Sequence, residues 1–252
     1  MKNMIYPFVE LIITTKCNLK CNNCSNLIPE YKRGYDVPLD EVLKSIDVIL
    51  ECVDELSFLK IHGGEPLLAQ DFAAILDYAA SKSKIKCIIV PTNGAYIPSE
   101  NDFSAMKRNN EKTKLIISNY EVCRKNHERL LQKCCEYGIN YELSKEKAWY
   151  EFGDVMDYQE DENTLLNRYI NCQMRRFPSY YRGKLYSCSR IANGVYLGLI
   201  PKELEKEYDL LNCPSDQRKE MFFEFSKKTS CNYCGYCTMN NVRSHKSGEQ
   251  LI

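Results

Sequence analysis

Residues 14–26 read TTKCNLKCNNCSN and place three cysteines in CxxxCxxC spacing directly behind the apolar run FVELIITT. Such a run is typical of a buried β-strand, so Cys17, Cys21 and Cys24 fall in the loop that follows a strand. Soft thiolate ligands select zinc or iron–sulfur clusters, and both normally take four ligands. A loop that offers only three leaves one metal position open to a ligand from outside the chain.

Strand and helix patterns alternate outward from this loop. Apolar runs predict further strands over LSFLKIH, IKCIIVPT, KLIIS and residues 139–143. Apolar residues at three and four spacing predict helices after Pro38, over FAAILDYAA with Asp71 as its cap, and over 126–137. Regular alternation of this kind predicts an α/β fold whose parallel sheet curls into a full or partial barrel.

Two more motifs follow strands of this predicted sheet. GGEP, residues 63–66, ends the second strand, and TNG, residues 92–94, ends the third. Ligands of such folds bind at the carboxyl ends of the strands, so both motifs should meet the cysteine loop there. Alone, GGEP is typical of a tight turn and NG of a β-turn, so the combination carries the inference.

Composition limits the kinds of protein that this chain can be. Its 252 residues suffice for one large domain, or one domain with a small annex, and its formal charge of zero does not favour nucleic acid as a partner. Glu10 interrupts the first apolar run, no small-residue cleavage site follows it, and no segment reaches the length of a membrane span. We therefore expect a cytoplasmic protein without a membrane partner, in which the clusters among its 14 cysteines serve metal or redox chemistry rather than disulfides. Five scattered cysteines are expected to be small buried apolar residues without function: Cys52, Cys87, Cys123, Cys134 and Cys135.

The cysteine loop, GGEP and TNG, in this order, resemble the radical S-adenosylmethionine (radical SAM) superfamily. The resemblance implies a partial (β/α)6-type TIM barrel over residues 1–148. It also implies a [4Fe-4S] cluster whose open iron binds S-adenosylmethionine and, once reduced, cleaves it to a 5′-deoxyadenosyl radical that abstracts a hydrogen atom. The implied cluster ligands are Cys17, Cys21 and Cys24. The implied S-adenosylmethionine contacts are Gly63, Gly64 and Glu65 at its amino end, and Thr92, Asn93 and Ser118 at its ribose or carboxylate.

One position departs from the family pattern. The family usually has an aromatic residue just before the third cysteine, where this chain has Asn23. Contact with the adenine ring is then left to Leu19 or Tyr120. A zinc knuckle is disfavoured for the cysteine loop, because it would need a fourth ligand at similar spacing and none lies nearby.

The second half of the chain, residues 149–252, carries another set of cysteines. Cys172, Cys188 and the motif CNYCGYC at 231–237 resemble the twitch subdomain, a short form of the SPASM extension that holds one auxiliary [4Fe-4S] cluster. The layout is similar to that of the 2-deoxy-scyllo-inosamine dehydrogenases. The implied ligands are Cys172, Cys188, Cys234 and Cys237, with Cys231 as the alternate and Cys213 as another substitute. Four thiolates would suit a structural zinc ion equally well.

An auxiliary cluster held entirely by protein thiolates favours a role as electron acceptor. A carbon radical beside a hydroxyl loses a proton easily and is then a strong reductant, so the resemblance implies oxidation of a polyol, amino sugar or glycan precursor. The expected partners are this small-molecule substrate and an electron donor such as flavodoxin or ferredoxin. No residue is assigned as catalytic acid or base.

The residues around the auxiliary cysteines allow two interpretations. Arg175, Arg176 and Arg190 suit a phosphate or carboxylate, but solvated surface arginines fit the pattern better. Trp149, Tyr150 and Phe152 suit a substrate wall and equally a core.

Four alternative functions remain open at this stage. A peptide-modifying maturase usually carries a leader-recognition domain, for which the first strand leaves no room. A redox-neutral enzyme would begin with the same hydrogen abstraction and end in epimerisation or bond formation. An activase of a glycyl-radical enzyme would not need Cys172 and Cys188. The non-enzymatic alternative is a binding protein stapled by zinc.

Overall fold

The computed structural model describes residues 4–145 and 148–251. Its main sheet has eight strands in the order β5-β4-β3-β2-β1-β7-β8-β9, and β6 pairs with β10 in a separate ribbon. The strands are β1 Ile5–Thr14, β2 Glu55–Gly63, β3 Ile85–Thr92, β4 Thr113–Ile117, β5 Tyr141–Leu143, β6 Ala148–Tyr150, β7 Ser179–Tyr181, β8 Lys184–Tyr186, β9 Tyr208–Asp209 and β10 Arg243–Lys246.

Helices alternate with the first five strands, and three of these four helices are predicted by the sequence pattern. The helices are α1 Leu39–Cys52, α2 Phe72–Ser81, α3 Glu100–Arg108, α4 Arg124–Tyr137, α5 Glu162–Asn171, α6 Ser189–Tyr196 and α7 Arg218–Ser226. β1 to β5 pair in parallel with their neighbours, which confirms the α/β fold class with a partial, open barrel. None of the described helices is long and apolar enough to cross a membrane.

Helix α3 was not predicted from the sequence. It contributes only Phe103, Ala105 and Met106 as apolar buried residues, too few to give a clear helical period. Its start is fixed by a capping box, in which the Ser99 side chain accepts the Asp102 N–H and the Asp102 carboxylate accepts the Ser99 N–H.

The predicted cap of α2 is wrong in its detail. Asp71 occupies the position before the helix, but its side chain makes no capping hydrogen bond. Its backbone has φ −101° and ψ 21°, outside the extended region from which a cap side chain reaches back to the helix N–H groups.

The second half of the chain completes the same sheet. β7 lies beside β1 in parallel, with Glu10 opposite Ser179, and β8 and β9 then add antiparallel strands. The Glu10 carboxylate accepts hydrogen bonds from Ser179 Oγ at 2.8 Å and from Lys60 Nζ at 2.7 Å. The sixth parallel strand therefore joins at the β1 edge, and the sheet crosses the predicted domain boundary at residue 148.

Candidate active site

A cavity of about 600 Å³ opens at the carboxyl ends of the parallel strands. The three cysteines of the CxxxCxxC loop line it, as do six of the residues expected to contact S-adenosylmethionine or its adenine: Leu19, Gly64, Glu65, Thr92, Asn93 and Ser118. Tyr120 lines it as well, whereas Gly63 is buried beneath the strand end. The fold thus brings the motifs together at one mouth.

Cys21 is buried, whereas Cys17 and Cys24 are half-buried. Cys24 Sγ accepts hydrogen bonds from the N–H groups of Asn26, Leu27 and Ile28, and burial raises its pKa above the ordinary value. Burial also raises the pKa of Cys17 to about 12 and that of Cys21 to about 11. The metal-free loop is therefore a set of neutral thiols, which must lose protons to bind a metal.

The two glycines of GGEP are needed because the ends of β1 and β2 touch. A Cβ on Gly63 would lie 2.3 Å from the Thr14 carbonyl oxygen, and one on Gly64 would lie 2.3 Å from that of Lys16. The Gly64 N–H donates to Thr14 O at 3.0 Å. This close approach places the β2 end against the loop that carries Cys17.

Glu65 joins the ends of β2 and β3. Its buried carboxyl accepts the Leu67 N–H at 3.2 Å on Oε1 and the Asn93 N–H at 2.7 Å on Oε2. Burial raises its pKa to about 7, against the opposing effect of these hydrogen bonds. Any ammonium group at this carboxyl must therefore share oxygens that already serve the backbone.

The TNG turn is attached directly to the cysteine loop. Asn93 Nδ2 donates to Asn18 Oδ1 at 2.8 Å and lies 3.7 Å from Cys17 Sγ. The Ser118 N–H donates to Thr92 O at 2.8 Å, which holds the end of β4 beside the end of β3. All three predicted polar residues therefore sit within one connected set of loops.

Asn23 has a structural role that an aromatic residue could not fill. Its φ is 53°, in the left-handed region that asparagine tolerates better than bulky residues. Its side-chain Nδ2 donates to Tyr150 O at 2.5 Å, and its Oδ1 accepts the Phe152 N–H at 3.3 Å. Asn23 thus fixes the cysteine loop to the segment after β6.

Sequence reasoning missed a second attachment of this loop, made by segment 248–251. Gln250 Nε2 donates to Cys21 Sγ at 3.3 Å, and Gln250 Oε1 accepts the Lys20 N–H at 2.8 Å. Gly248, with φ 73°, passes under Tyr120, where a Cβ would lie 2.5 Å from the ring. Two backbone hydrogen bonds complete the contact, from Asn22 N to Glu249 O at 2.7 Å and from Leu251 N to Lys20 O at 2.8 Å.

A second, smaller cavity of about 40 Å³ collects the other cysteines. Four thiols line it, from Cys172, Cys188, Cys234 and Cys237. Cys231 does not line it and is fully buried, and Cys213 donates to the Pro214 carbonyl oxygen elsewhere. Burial raises the pKa of Cys188, whose sulfur accepts the Ile191 N–H at the start of α6.

The second cavity is also lined by Arg190, whose charge bears on the kind of metal group that the four thiols can bind. Arg190 is only 5% exposed, and its Nε is buried without a hydrogen-bond partner. Within residues 4–145 and 148–251, no three His, Cys, Asp or Glu side chains converge on a single metal ion. In a [4Fe-4S] cluster the four thiolates bind different irons, so they need not converge on one ion. The negative charge of such a cluster would also balance the unpaired Arg190, so the residues of this cavity fit it.

The aromatic residues and arginines near the auxiliary cysteines had two interpretations each. Trp149, Tyr150 and Phe152 line the first cavity. Arg175 and Arg176 are exposed, whereas Arg190 is buried, so the surface interpretation is wrong for Arg190. The scattered cysteines line neither cavity. Three of them are buried as expected, whereas Cys87 is half-buried and Cys135 is exposed.

A thiol trio at the mouth of an open parallel barrel, beside glycine-rich strand ends, is the arrangement of enzymes that pair an iron–sulfur cluster with S-adenosylmethionine. Residues 11–142, more than half of the chain, match the family model described as Radical SAM superfamily. The chain belongs to the radical SAM superfamily.

Curated relatives match a shorter stretch. A probable GTP 3′,8-cyclase of Methanococcus maripaludis is 39% identical over 85 residues, covering 34% of this chain and 28% of that protein. The GTP 3′,8-cyclase of Mannheimia succiniciproducens is 31% identical over 91 residues, covering 35% and 26%. The matches thus span only about a quarter of the length of these relatives.

Solved structures match the whole chain. BtrN in complex with AdoMet and 2-DOIA has a TM-score of 0.55 at 15% identity, covering 99% of this chain and 98% of BtrN. Native anSMEcpe with bound AdoMet has a TM-score of 0.56 at 13% identity, covering 95% and 92%. The likeness therefore extends to the fold of the second half.

Proposed function

We propose that the chain is a radical SAM dehydrogenase that oxidises a hydroxyl group of a small polar molecule. A second [4Fe-4S] cluster, held by Cys172, Cys188, Cys234 and Cys237, would accept the electron that the substrate radical releases. One observation carries the proposal, namely that the two cavities adjoin. Four residues line both: Ser25, Phe152, Met174 and Ser189.

The size of the first cavity supports a small substrate. Its volume of about 600 Å³ must hold S-adenosylmethionine as well as the substrate. This leaves room for a sugar-sized molecule rather than for an extended peptide, which disfavours the peptide-maturase alternative.

The polar wall of the cavity supports a substrate without strong negative charge. Glu10 and Lys60 line the cavity as an ion pair of 2.7 Å, so their charges largely cancel. His62 lies beside them, and burial lowers its pKa to about 3, so its ring is neutral at neutral pH. A wall of paired charges and a neutral imidazole suits hydroxyl and amino groups better than a triphosphate.

The chemistry that the bound cofactors supply is a hydrogen-abstracting 5′-deoxyadenosyl radical, formed with one electron and one S-adenosylmethionine. A substrate CH–OH carbon that gives up its hydrogen atom then loses the hydroxyl proton and one electron to become a carbonyl. The residues around the cavity would orient this carbon and exclude water, and Cys172, Cys188, Cys234 and Cys237 would hold the cluster that supplies the electron acceptor. One S-adenosylmethionine is consumed for each carbonyl formed.

The test compares the anaerobically reconstituted wild type with the Cys172→Ala, Cys188→Ala double variant. We expect about eight irons in the wild type and about four in the variant. Candidate polyols and amino sugars deuterated at the CH–OH carbon are supplied with a flavodoxin-type reductant. Transfer of deuterium into 5′-deoxyadenosine should persist in the variant, while the carbonyl product is lost.

Cys135→Ala serves as the matched control, because Cys135 is exposed and lies outside both cavities. An undiminished carbonyl yield in the four-iron variant would refute the electron-acceptor role. GTP is included because the curated relatives are GTP 3′,8-cyclases, and its turnover in place of the polyols would overturn the dehydrogenase proposal.

A further inference from the structure

Arg190 is a buried cation without an anionic partner in the described parts of the chain. It lies in the first turn of α6, directly after Ser189 and two residues after Cys188, one of the four thiols of the second cavity. Its Nη2 donates to Gly153 O at 2.5 Å, and its guanidinium stacks 5.4 Å from the centre of the Phe152 ring. Neither contact supplies negative charge, and its Nε has no hydrogen-bond partner.

Two neighbouring cations are neutralised by carboxylates, unlike Arg190. Arg168 also lines the second cavity, but it forms a bidentate ion pair with Glu160. Lys60, in the first cavity, is paired with Glu10. Burying an unpaired charge is costly, so a compensating anion is expected near Arg190.

The thiolates of both cysteine sites lie where they could balance the charge of Arg190. It lines the second cavity, while Phe152, on which it stacks, and Ser189, its neighbour in sequence, line both cavities. The guanidinium of Arg190 thus lies against Phe152, in the wall that the two cavities share.

We propose that Arg190 is a shared counter-ion that raises the reduction potentials of the clusters at both sites. Adding one electron to either site adds negative charge, and a nearby buried guanidinium stabilises that charge. Arg190 would thus be a positioning residue that acts through the metal sites. The inference rests on the proposed second cluster, and the experiment separates the two.

The test uses Arg190→Gln, which removes the charge, and Arg190→Lys, which keeps it. Each is made in the full chain and in two backgrounds, one without Cys17, Cys21 and Cys24 and one without Cys172 and Cys188. The readout is the midpoint potential of each site, from titration with dithionite followed by electron paramagnetic resonance. Arg182→Gln is the control, because Arg182 is paired with Glu41 and lines neither cavity.

We expect Arg190→Gln to lower both midpoint potentials, Arg190→Lys to restore them towards wild type, and Arg182→Gln to change neither. Unchanged potentials in Arg190→Gln, or a shift at one site alone, would overturn the shared role. If Arg190→Gln takes up no iron, the Arg190→Lys variant decides. Iron uptake by Arg190→Lys with a near-normal potential would support the counter-ion role, and loss of iron in both variants would refute it. Absence of iron in the background without Cys17, Cys21 and Cys24 would instead contradict the proposed second cluster.

Discussion

Replacing Glu65 by glutamine should remove one pH-dependent contribution from the stability of the metal-free protein. The carboxyl is 1% exposed, and its pKa rises from its ordinary value of 4.5 to about 7 in the folded state. Between these two values the folded chain keeps a proton that the unfolded chain has lost. The free energy of unfolding must therefore fall as pH rises through this window, and stay lower above it.

The magnitude follows from the two pKa values. A difference of about 2.5 pH units corresponds to about 3 kcal/mol, lost progressively between pH 4.5 and pH 7. Glutamine has no such titration, but it offers one oxygen where Glu65 uses two, for Leu67 and Asn93. The unmatched N–H costs about 1–3 kcal/mol at every pH, which shifts the profile without changing its slope.

The assay is urea unfolding of the reduced, metal-free wild type and Glu65→Gln from pH 4.5 to pH 8. Subtracting the two profiles cancels every other titrating group that the substitution leaves unchanged. The difference should change by up to about 3 kcal/mol across the window, with the variant losing less stability as pH rises. A flat difference would refute the argument, because it would mean that Glu65 ionises equally easily in both states.

Three further predictions concern the first cavity. Gln250→Leu removes the donor to Cys21 Sγ, so its cluster should be lost faster in air than that of the wild type, measured by the decay of visible absorbance. Gly64→Ala places a Cβ 2.3 Å from Lys16 O and should lower the unfolding free energy by about 1–3 kcal/mol in urea titrations. Gly138→Ala meets no atom within 4 Å, so it should cost only the strain of its φ of 67°, about 1–2 kcal/mol. Because burial holds the pKa of Cys17 at about 12, metal affinity should rise about tenfold per pH unit for each thiol deprotonated, measurable by Co²⁺ titration from pH 6.5 to 8; a pH-independent affinity would contradict this.

The elements that could be predicted from sequence are those with a strong local period. β3 matches its predicted range of 85–92, and α1 begins at the predicted Leu39, because buried apolar residues repeat regularly there. α3 was missed, since its short buried face gives no such period. The gathering of the motifs at one cavity was also predictable, because parallel strands end on the same side of a sheet.

Contacts between distant parts of the chain had no local signal. Gln250 lies 229 residues from Cys21, and nothing around it marks it as a neighbour of the cysteine loop. The pairing of β7 with β1 is equally non-local. Sequence alone predicts a solvated Arg190, because arginine is usually exposed, although its place two residues after Cys188 is a signal for burial beside the thiols.

The contact between segment 248–251 and the cysteine loop imposes an order on biosynthesis. The loop emerges early from the ribosome, but the hydrogen bonds that Gln250 and Leu251 make to it form only after residue 251 has been translated. A nascent chain therefore presents Cys21 without its amide donor until Gln250 has been translated and has folded against the loop. Iron and sulfide that arrive earlier would meet a cysteine loop without this contact.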